Sequence, residues 1–202
     1  FCCDVAAQSG KSAYTRARAK TRILCPGESP YPYHSIGFKL GDPFALSYKF
    51  YGNRHFAVVA DVGRASSGLY KRYYREQFNT YIPNDTNTTF LASNVKADWV
   101  GELKFLYSFN AKAISPGMQV YVGAGVQGKY TNLSYTYQSG ITDVASLDVV
   151  RRTIGQTTVL GIEYFYTNLP VSAFMEMELF TDLSLDPGAM WFQGGVGMRY
   201  IF

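Results

Sequence analysis

Twelve ionisable side chains recur at alternate positions of otherwise apolar runs: the bases Lys39, Lys49, Lys104, Lys129 and Arg199, and the acids Asp61, Asp98, Glu102, Glu163, Glu176, Glu178 and Asp182. Opposite charges gathered in one interior can pair with one another, or they can line a narrow path for ions or protons. Partly buried charges must be paired, because stranding one costs about 3–5 kcal/mol, so a filled, paired interior is the leading reading and the narrow path stands behind it. Nucleophilic chemistry would need an imidazole beside a serine and an acid. The only two histidines are His34 and His55, and no serine stands out as a partner to either. They read as polar residues at an interface, and the chain is not expected to be an enzyme. No phosphate loop, metal-ligand spacing or nucleic-acid motif is present, so no cofactor, no metal and no nucleic-acid partner is expected.

Two further groups could carry chemistry. Cys2, Cys3 and Cys25 all fall in a basic stretch that holds Lys11, Arg16, Arg18, Lys20 and Arg22. Without a histidine pattern they make poor zinc ligands, and in an oxidising compartment Cys25 would bridge to Cys2 or Cys3. Val5, Ala6 and Ala7 before Gln8 also read as the small-residue end of a secretory signal, a remnant covering residues 1–7. The second group interleaves bases with aromatics: Tyr70, Lys71, Arg72, Tyr73, Tyr74 and Arg75, joined by Phe90, Tyr135 and Tyr137. Such a surface could grip the phosphates and sugars of a glycolipid, or a protein; its plain alternative is a strand that continues beyond the membrane.

The elements that must position these residues show a period of two. In the last run Phe192, Val196, Met198, Tyr200 and Phe202 alternate with Gln193, Gly195, Gly197 and Arg199. The same sorting gives eight strands, within residues 33–40, 44–50, 56–63, 98–109, 118–130, 151–166, 171–185 and 191–202. Residues 52–55, 110–117 and 167–170 then form short turns on one side. The other side has short links at 41–43 and 186–190 and long loops at 66–96 and 131–150. With those twelve charged residues all on the polar face, packing the other face inward as in a soluble lipocalin-like barrel is disfavoured, and leaving it in water would expose a continuous apolar belt. The expected fold is all-β: an eight-stranded antiparallel transmembrane β-barrel over residues 33–202, preceded by a basic N-terminal arm at 1–32.

Composition agrees. The chain has 17 Tyr and 14 Phe in 202 residues, and 17% charged residues. No run approaches the roughly 18–20 uncharged apolar residues of a spanning helix, so a membrane passage has to use a closed sheet. Trp99, Trp191 and Tyr130 are expected in an outer aromatic girdle, and Phe50, Phe56, Phe109, Tyr166, Tyr200 and Phe202 in an inner one.

The terminal Met198-Arg199-Tyr200-Ile201-Phe202 resembles the assembly signal of outer-membrane barrels, carried by Tyr200 and Phe202. With Ser35-Ile36-Gly37-Phe38-Lys39-Leu40-Gly41-Asp42-Pro43, Leu46-Ser47-Tyr48-Lys49-Phe50, Gly161-Ile162-Glu163-Tyr164 and Asn168-Leu169-Pro170, it resembles a family of small outer-membrane barrels of Bacteroidota-type bacteria. That resemblance implies the bacterial outer membrane, with both termini periplasmic and lipid, including lipopolysaccharide, around the wall. Two functions are weighed on it: an accessory subunit leaning on a larger membrane protein, and a free-standing barrel whose outer loops bind surface glycolipid or polysaccharide. A lipid-modifying enzyme or a narrow channel ranks behind both.

Overall fold

In the computed structural model, residues 31–65, 75, 78, 88–111, 114–139, 143–166 and 168–202 are described. The arm with its three cysteines, and Tyr70, Lys71, Arg72, Tyr73 and Tyr74, lie outside the described residues.

Eight strands follow one another in chain order: β1 (Tyr33–Asp42), β2 (Phe44–Tyr51), β3 (Phe56–Arg64), β4 (Thr88–Asn110), β5 (Met118–Ser139), β6 (Asp143–Phe165), β7 (Val171–Asp182) and β8 (Met190–Ile201). Each pairs antiparallel with its neighbours, and β1 pairs with β8, so the sheet closes. Closure leaves no edge in the lower wall, which a lipid environment demands because it offers backbone amides no alternative partner. Outward positions carry the apolar alternation: Phe38, Leu46, Phe105, Val126, Leu160, Met177 and Val196 are all exposed. The charged alternation points inward.

The heights are unequal. β4, β5 and β6 have 23, 22 and 23 residues, whereas β1, β2 and β3 have 10, 8 and 9 and β7 and β8 have 12 each. This corrects the expectation of a loop at 131–150. Those residues are mostly strand, paired continuously from Tyr130↔Arg152 to Ser139↔Asp143. The segment expected as a loop over 66–96 likewise includes the start of β4, which pairs with β5 from Thr88↔Ser139. The three long strands rise past the others as a blade. Two register shifts in β4, between Phe90 and Ala92 and between Val95 and Ala97, keep its faces in step with β5.

Polarity inverts where the blade begins. Below it, the wall is apolar outside and charged inside. Above it, Asn94, Lys96, Asn132, Ser134, Ser146 and Asp148 lie on the outer face, while Leu133 and Tyr135 are buried on the inner face with Phe78. Phe90, Tyr137, Leu147 and Val149 pack against that cluster. Phe90, Tyr135 and Tyr137 are thus an internal core, not the open gripping surface the sequence suggested, and they face Phe78 at ring distances of 5.2, 5.6 and 6.0 Å. The Arg75 guanidinium sits 5.9 Å from the Phe90 ring, at the margin of the same cluster.

Candidate functional site

The alternation that sends one face of each strand to lipid sends the other into the lumen, and all twelve charged side chains arrive there. Lys129 is half-buried; the other eleven are buried. They sort into tiers along the axis.

Nearest the start of β1 and the end of β8, an apolar plug of Tyr33, Ala57, Val59, Leu106, Val159 and Phe165 packs with Tyr51 and Tyr121. On it rests Glu163, which pairs with Lys49 and accepts hydrogen bonds from Tyr51 and Ser172, both at 2.7 Å. Arg199 approaches the same carboxylate at 3.5 Å and donates to Ser47 Oγ at 3.1 and 3.2 Å. Its guanidinium carbon lies over the Phe174 ring, 3.5 Å from the centroid. Lys49 is further framed by the rings of Tyr51 and Tyr121, at 4.5 and 4.9 Å. Every charge in this tier is therefore both paired and packed.

The middle tier holds two lysines among four carboxylates. Lys104 Nζ lies 2.7 Å from Asp61, 3.1 Å from Glu102, 3.2 Å from Glu176 and 2.6 Å from Glu178. Lys39 Nζ reaches the same four oxygens at 3.1–3.4 Å. Each carboxylate spends one oxygen on both ammoniums. Glu176 uses its other oxygen on the Tyr121 hydroxyl, at 3.1 Å, but Asp61 Oδ1, Glu102 Oε1 and Glu178 Oε2 have no hydrogen-bond partner among the described residues. Asp61, Glu102 and Glu178 bring oxygens within 4.8 Å of one another, a spacing suited to a cation. The two ammoniums already sit on those oxygens, so lysine nitrogen plays the part a metal would.

At the opposite mouth, Thr131 donates to Asp98 at 3.0 Å, Gln127 and Gln193 join at 3.1 Å, and Lys129 stands 4.8 Å from the Phe180 ring. Asp182 accepts from the Ser184 and Leu185 amides and so caps the end of β7. Sequence reasoning missed two members here. Asp42 is buried at the end of β1, because only Pro43 separates β1 from β2 where a wider turn was expected. Arg151 is also buried, 3.7 Å from Asp186. The signal for Arg151 was parity, since it continues the inward alternation of β6; Asp42 falls on the outward parity of β1 and is buried all the same, so alternation could not have found it. Parity also corrects Trp191, expected in the outer girdle. It lies on the inward face of β8 and stacks on buried Phe180 at 5.5 Å.

Glycines make room for these large groups. A Cβ at Gly161 would overlap the Tyr121 ring directly opposite, and one at Gly197 would overlap Phe174. The lumen is consequently filled by side chains, as expected of an eight-stranded barrel. On the blade's outer face, the Asp148 carboxyl is held below the usual carboxylate range by its hydrogen bond from Lys96, at 2.7 Å, and one from Ser134.

The histidines occupy the end where β1 starts and β8 finishes. His34 Nδ1 bonds the Tyr48 hydroxyl at 2.6 Å and its ring stacks on Phe202; His55 Nδ1 is 3.0 Å from the Ser108 carbonyl and stacks on Tyr107. Among the described residues, neither ring meets a serine hydroxyl or a carboxylate. Phe56, Phe109, Tyr166, Tyr200 and Phe202 are exposed around the same end, with Phe50 half-buried. Phe202 closes that end through paired backbone bonds with His34.

No protein-family model matches this chain, and no curated protein matches it. Solved structures do. The N-terminal β-barrel domain of Pseudomonas aeruginosa OprF superposes with a TM-score of 0.52 at 13% identity, covering 85% of this chain and 96% of that one. A major outer membrane protein from Thermus thermophilus gives 0.51 at 11% identity, covering 86% and 100%. At these identities the likeness speaks to fold alone: the chain has the architecture of an outer-membrane β-barrel.

Proposed function

We propose that the protein is a sealed outer-membrane barrel that serves as an accessory subunit of a larger assembly, with its termini periplasmic and its blade outside. The observation that carries this reading is the unequal rim. β7 stops pairing at Gly155↔Asp182, so β6 runs on over residues 143–154 beside the low rim of β7, β8, β1 and β2. Among the described residues no strand lies along that side of β6. Exposed strand edges are ready templates for another chain, and the low rim gives a larger neighbour room to reach this one. The tall strands and the longest connection, from β3 to β4, lie at the end opposite Phe202, and such barrels carry their longer extensions on the outer side. The assignment to a Bacteroidota-type family rests on the motif residues quoted above.

The sealed lumen supports a structural part over transport or catalysis. Arg199→Ala should lower the unfolding midpoint, since Glu163 loses a partner, while planar-bilayer conductance stays near background; a large conductance gain would sink the sealed reading. For the partner, a photo-crosslinking residue at Ser146 or Val150 should capture one defined larger membrane protein in cells, whereas the same residue at lipid-facing Phe105 should not. A monomer in mild detergent with no crosslink from either blade position would refute the accessory role. The protein would then be a free-standing barrel whose outer surface meets glycolipid or polysaccharide.

A further inference from the structure

Where the polarity inverts, four outward side chains on four adjacent strands form a single row. Gly63 lies opposite Val100, which sets Arg64 of β3 alongside Trp99 of β4; Trp99 pairs with Tyr130 of β5, and Tyr130 with Arg152 of β6. The Arg64 guanidinium lies 5.6 Å from the Trp99 ring centroid and that of Arg152 lies 5.9 Å from Tyr130. The order across the wall is therefore cation, ring, ring, cation. Among the described residues neither arginine has a carboxylate partner.

One row further into the apolar band, the register reads Val62, Gly101, Gly128, Ile154. The two glycines pair directly, and a Cβ on either would meet nothing within 4 Å. No inward ring or tight turn explains them, unlike Gly161 and Gly197. Glycine inside a strand weakens it and commonly marks close approach by a ligand or another backbone. Here the missing side chains leave a groove of about 370 Å³ between Val62, Ile154, Trp99 and Tyr130. The row beneath it is Ala60, Leu103, Val126 and Gln156. The groove is thus an apolar slot that opens beneath two arginines at the level where the apolar wall ends.

We propose that this row and slot bind a phosphorylated disaccharide glycolipid of the outer leaflet. One acyl chain fills the slot at Gly101 and Gly128, the sugars rest on Trp99 and Tyr130, and phosphates meet Arg64 and Arg152. A guanidinium held near a ring by cation–π attraction spends none of its N–H groups there, and these match a phosphate bidentately. The two arginines stand three strand spacings apart, about 14 Å at ~4.8 Å each, a span for a two-sugar headgroup charged at both ends rather than for a single phosphate. This inference rests on the blade end facing outward, as in the proposed function, but needs no protein partner.

The test uses the purified barrel alone. After delipidation in mild detergent, it is given diphosphorylated lipid A, the same lipid without phosphates, or phosphatidylglycerol, and retention is read by native mass spectrometry. Wild type should retain diphosphorylated lipid A at least about tenfold better than either comparator, the scale of one or two charge-assisted hydrogen bonds. The paired variant Arg64→Gln/Arg152→Gln should erase that preference. Gly101→Leu/Gly128→Leu, verified as folded by heat-modifiable gel migration, should lower retention of every acylated probe at this site. Should the leucine variant not fold, Trp191→Phe leaves Trp99 as the only tryptophan, and lipid A with brominated acyl chains should quench it saturably. Equal retention of phosphatidylglycerol, no effect of the arginine pair, or linear unsaturable quenching would overturn the proposal. A Lys96→Cys variant labelled by an impermeant thiol reagent on intact cells checks orientation separately. Labelling without retention overturns the lipid site and leaves the orientation standing; retention without labelling overturns both the orientation and the outer-leaflet occupant.

Discussion

The lower barrel and the blade use the same strands and opposite chemistry. Through the apolar band, β5 turns Val120, Val122, Ala124 and Val126 outward and Gln119, Tyr121 and Gln127 inward. Past Tyr130 it turns Asn132, Ser134, Thr136 and Gln138 outward and buries Leu133 and Tyr135. The backbone parity never changes; only the solvent outside does. Below, hydrocarbon takes the apolar face and the polar face must satisfy itself internally. Above, the outer face is built for water, and the apolar side forms a small core of the ordinary kind. The comparison teaches that a strand's burial pattern reports the medium it stands in as well as its place in the sheet.

The largest expected effect would break the lower region. Lys104→Met leaves four buried carboxylates facing Lys39 alone and should cost about 3–5 kcal/mol, seen as a lower midpoint in urea unfolding from micelles or as loss of the heat-modifiable band. An unchanged midpoint would mean that the middle tier is hydrated and not held by ion pairs.

Next comes Leu133→Ala in the blade, where the edge can partly relax; we expect about 2–3 kcal/mol, toward the low end for such truncations. Its signature should be local. Amide exchange should quicken in β4 and β6 above the inversion while the barrel's unfolding midpoint holds. A drop in that midpoint would show the two regions to be one cooperative unit.

Glu178→Gln should change the unfolding free energy by less than about 1 kcal/mol, because it removes a surplus negative charge and keeps a polar group near both lysines. Loss comparable to Lys104→Met would show that all four carboxylates are required as ions.

The smallest effect falls on the blade's outer face. Lys96 and Asp148 are about half exposed, and exposed pairs contribute little. Asp148→Asn should leave thermal stability within error at neutral pH. A carboxyl held below its usual range stabilises the fold above the unfolded value and loses that contribution as pH falls through the folded one. Any difference between wild type and the variant should therefore vanish on acidification, in acid-titrated thermal melts.

Where the sequence was readable follows from this comparison. The alternation of Lys39, Lys49, Glu102, Lys104, Glu176, Glu178 and Arg199 with apolar neighbours exposed the barrel, because each charge sat on the face opposite a lipid contact. The same rule hid the blade. A reading tuned to apolar-outside strands sees residues 131–150 as irregular, although Leu133, Tyr135, Leu147 and Val149 alternate as regularly as the rest. Asp42 was lost because Gly-Asp-Pro is turn chemistry, and Trp191 because an aromatic near a strand end suggests a girdle whichever way it points. Of the row of Arg64, Trp99, Tyr130 and Arg152, only the two rings were legible, as girdle aromatics; the arginines lie far away in the chain and only the register brings them level.

The middle tier also bears on how the chain becomes a barrel. Lys39 arrives on β1, while its carboxylate partners come from β3, β4 and β7. The seam between β1 and β8 joins the two most distant strands of the chain and carries the largest loop-closure cost. Until that seam zips, Lys39 stands six strands away from Glu176 and Glu178, and Lys104 three, so the full set of pairs is out of reach. Closing the ring and neutralising its interior are then one event, so a half-assembled sheet gains nothing by lingering, and the ionic tier acts as a latch that engages only on the finished cylinder.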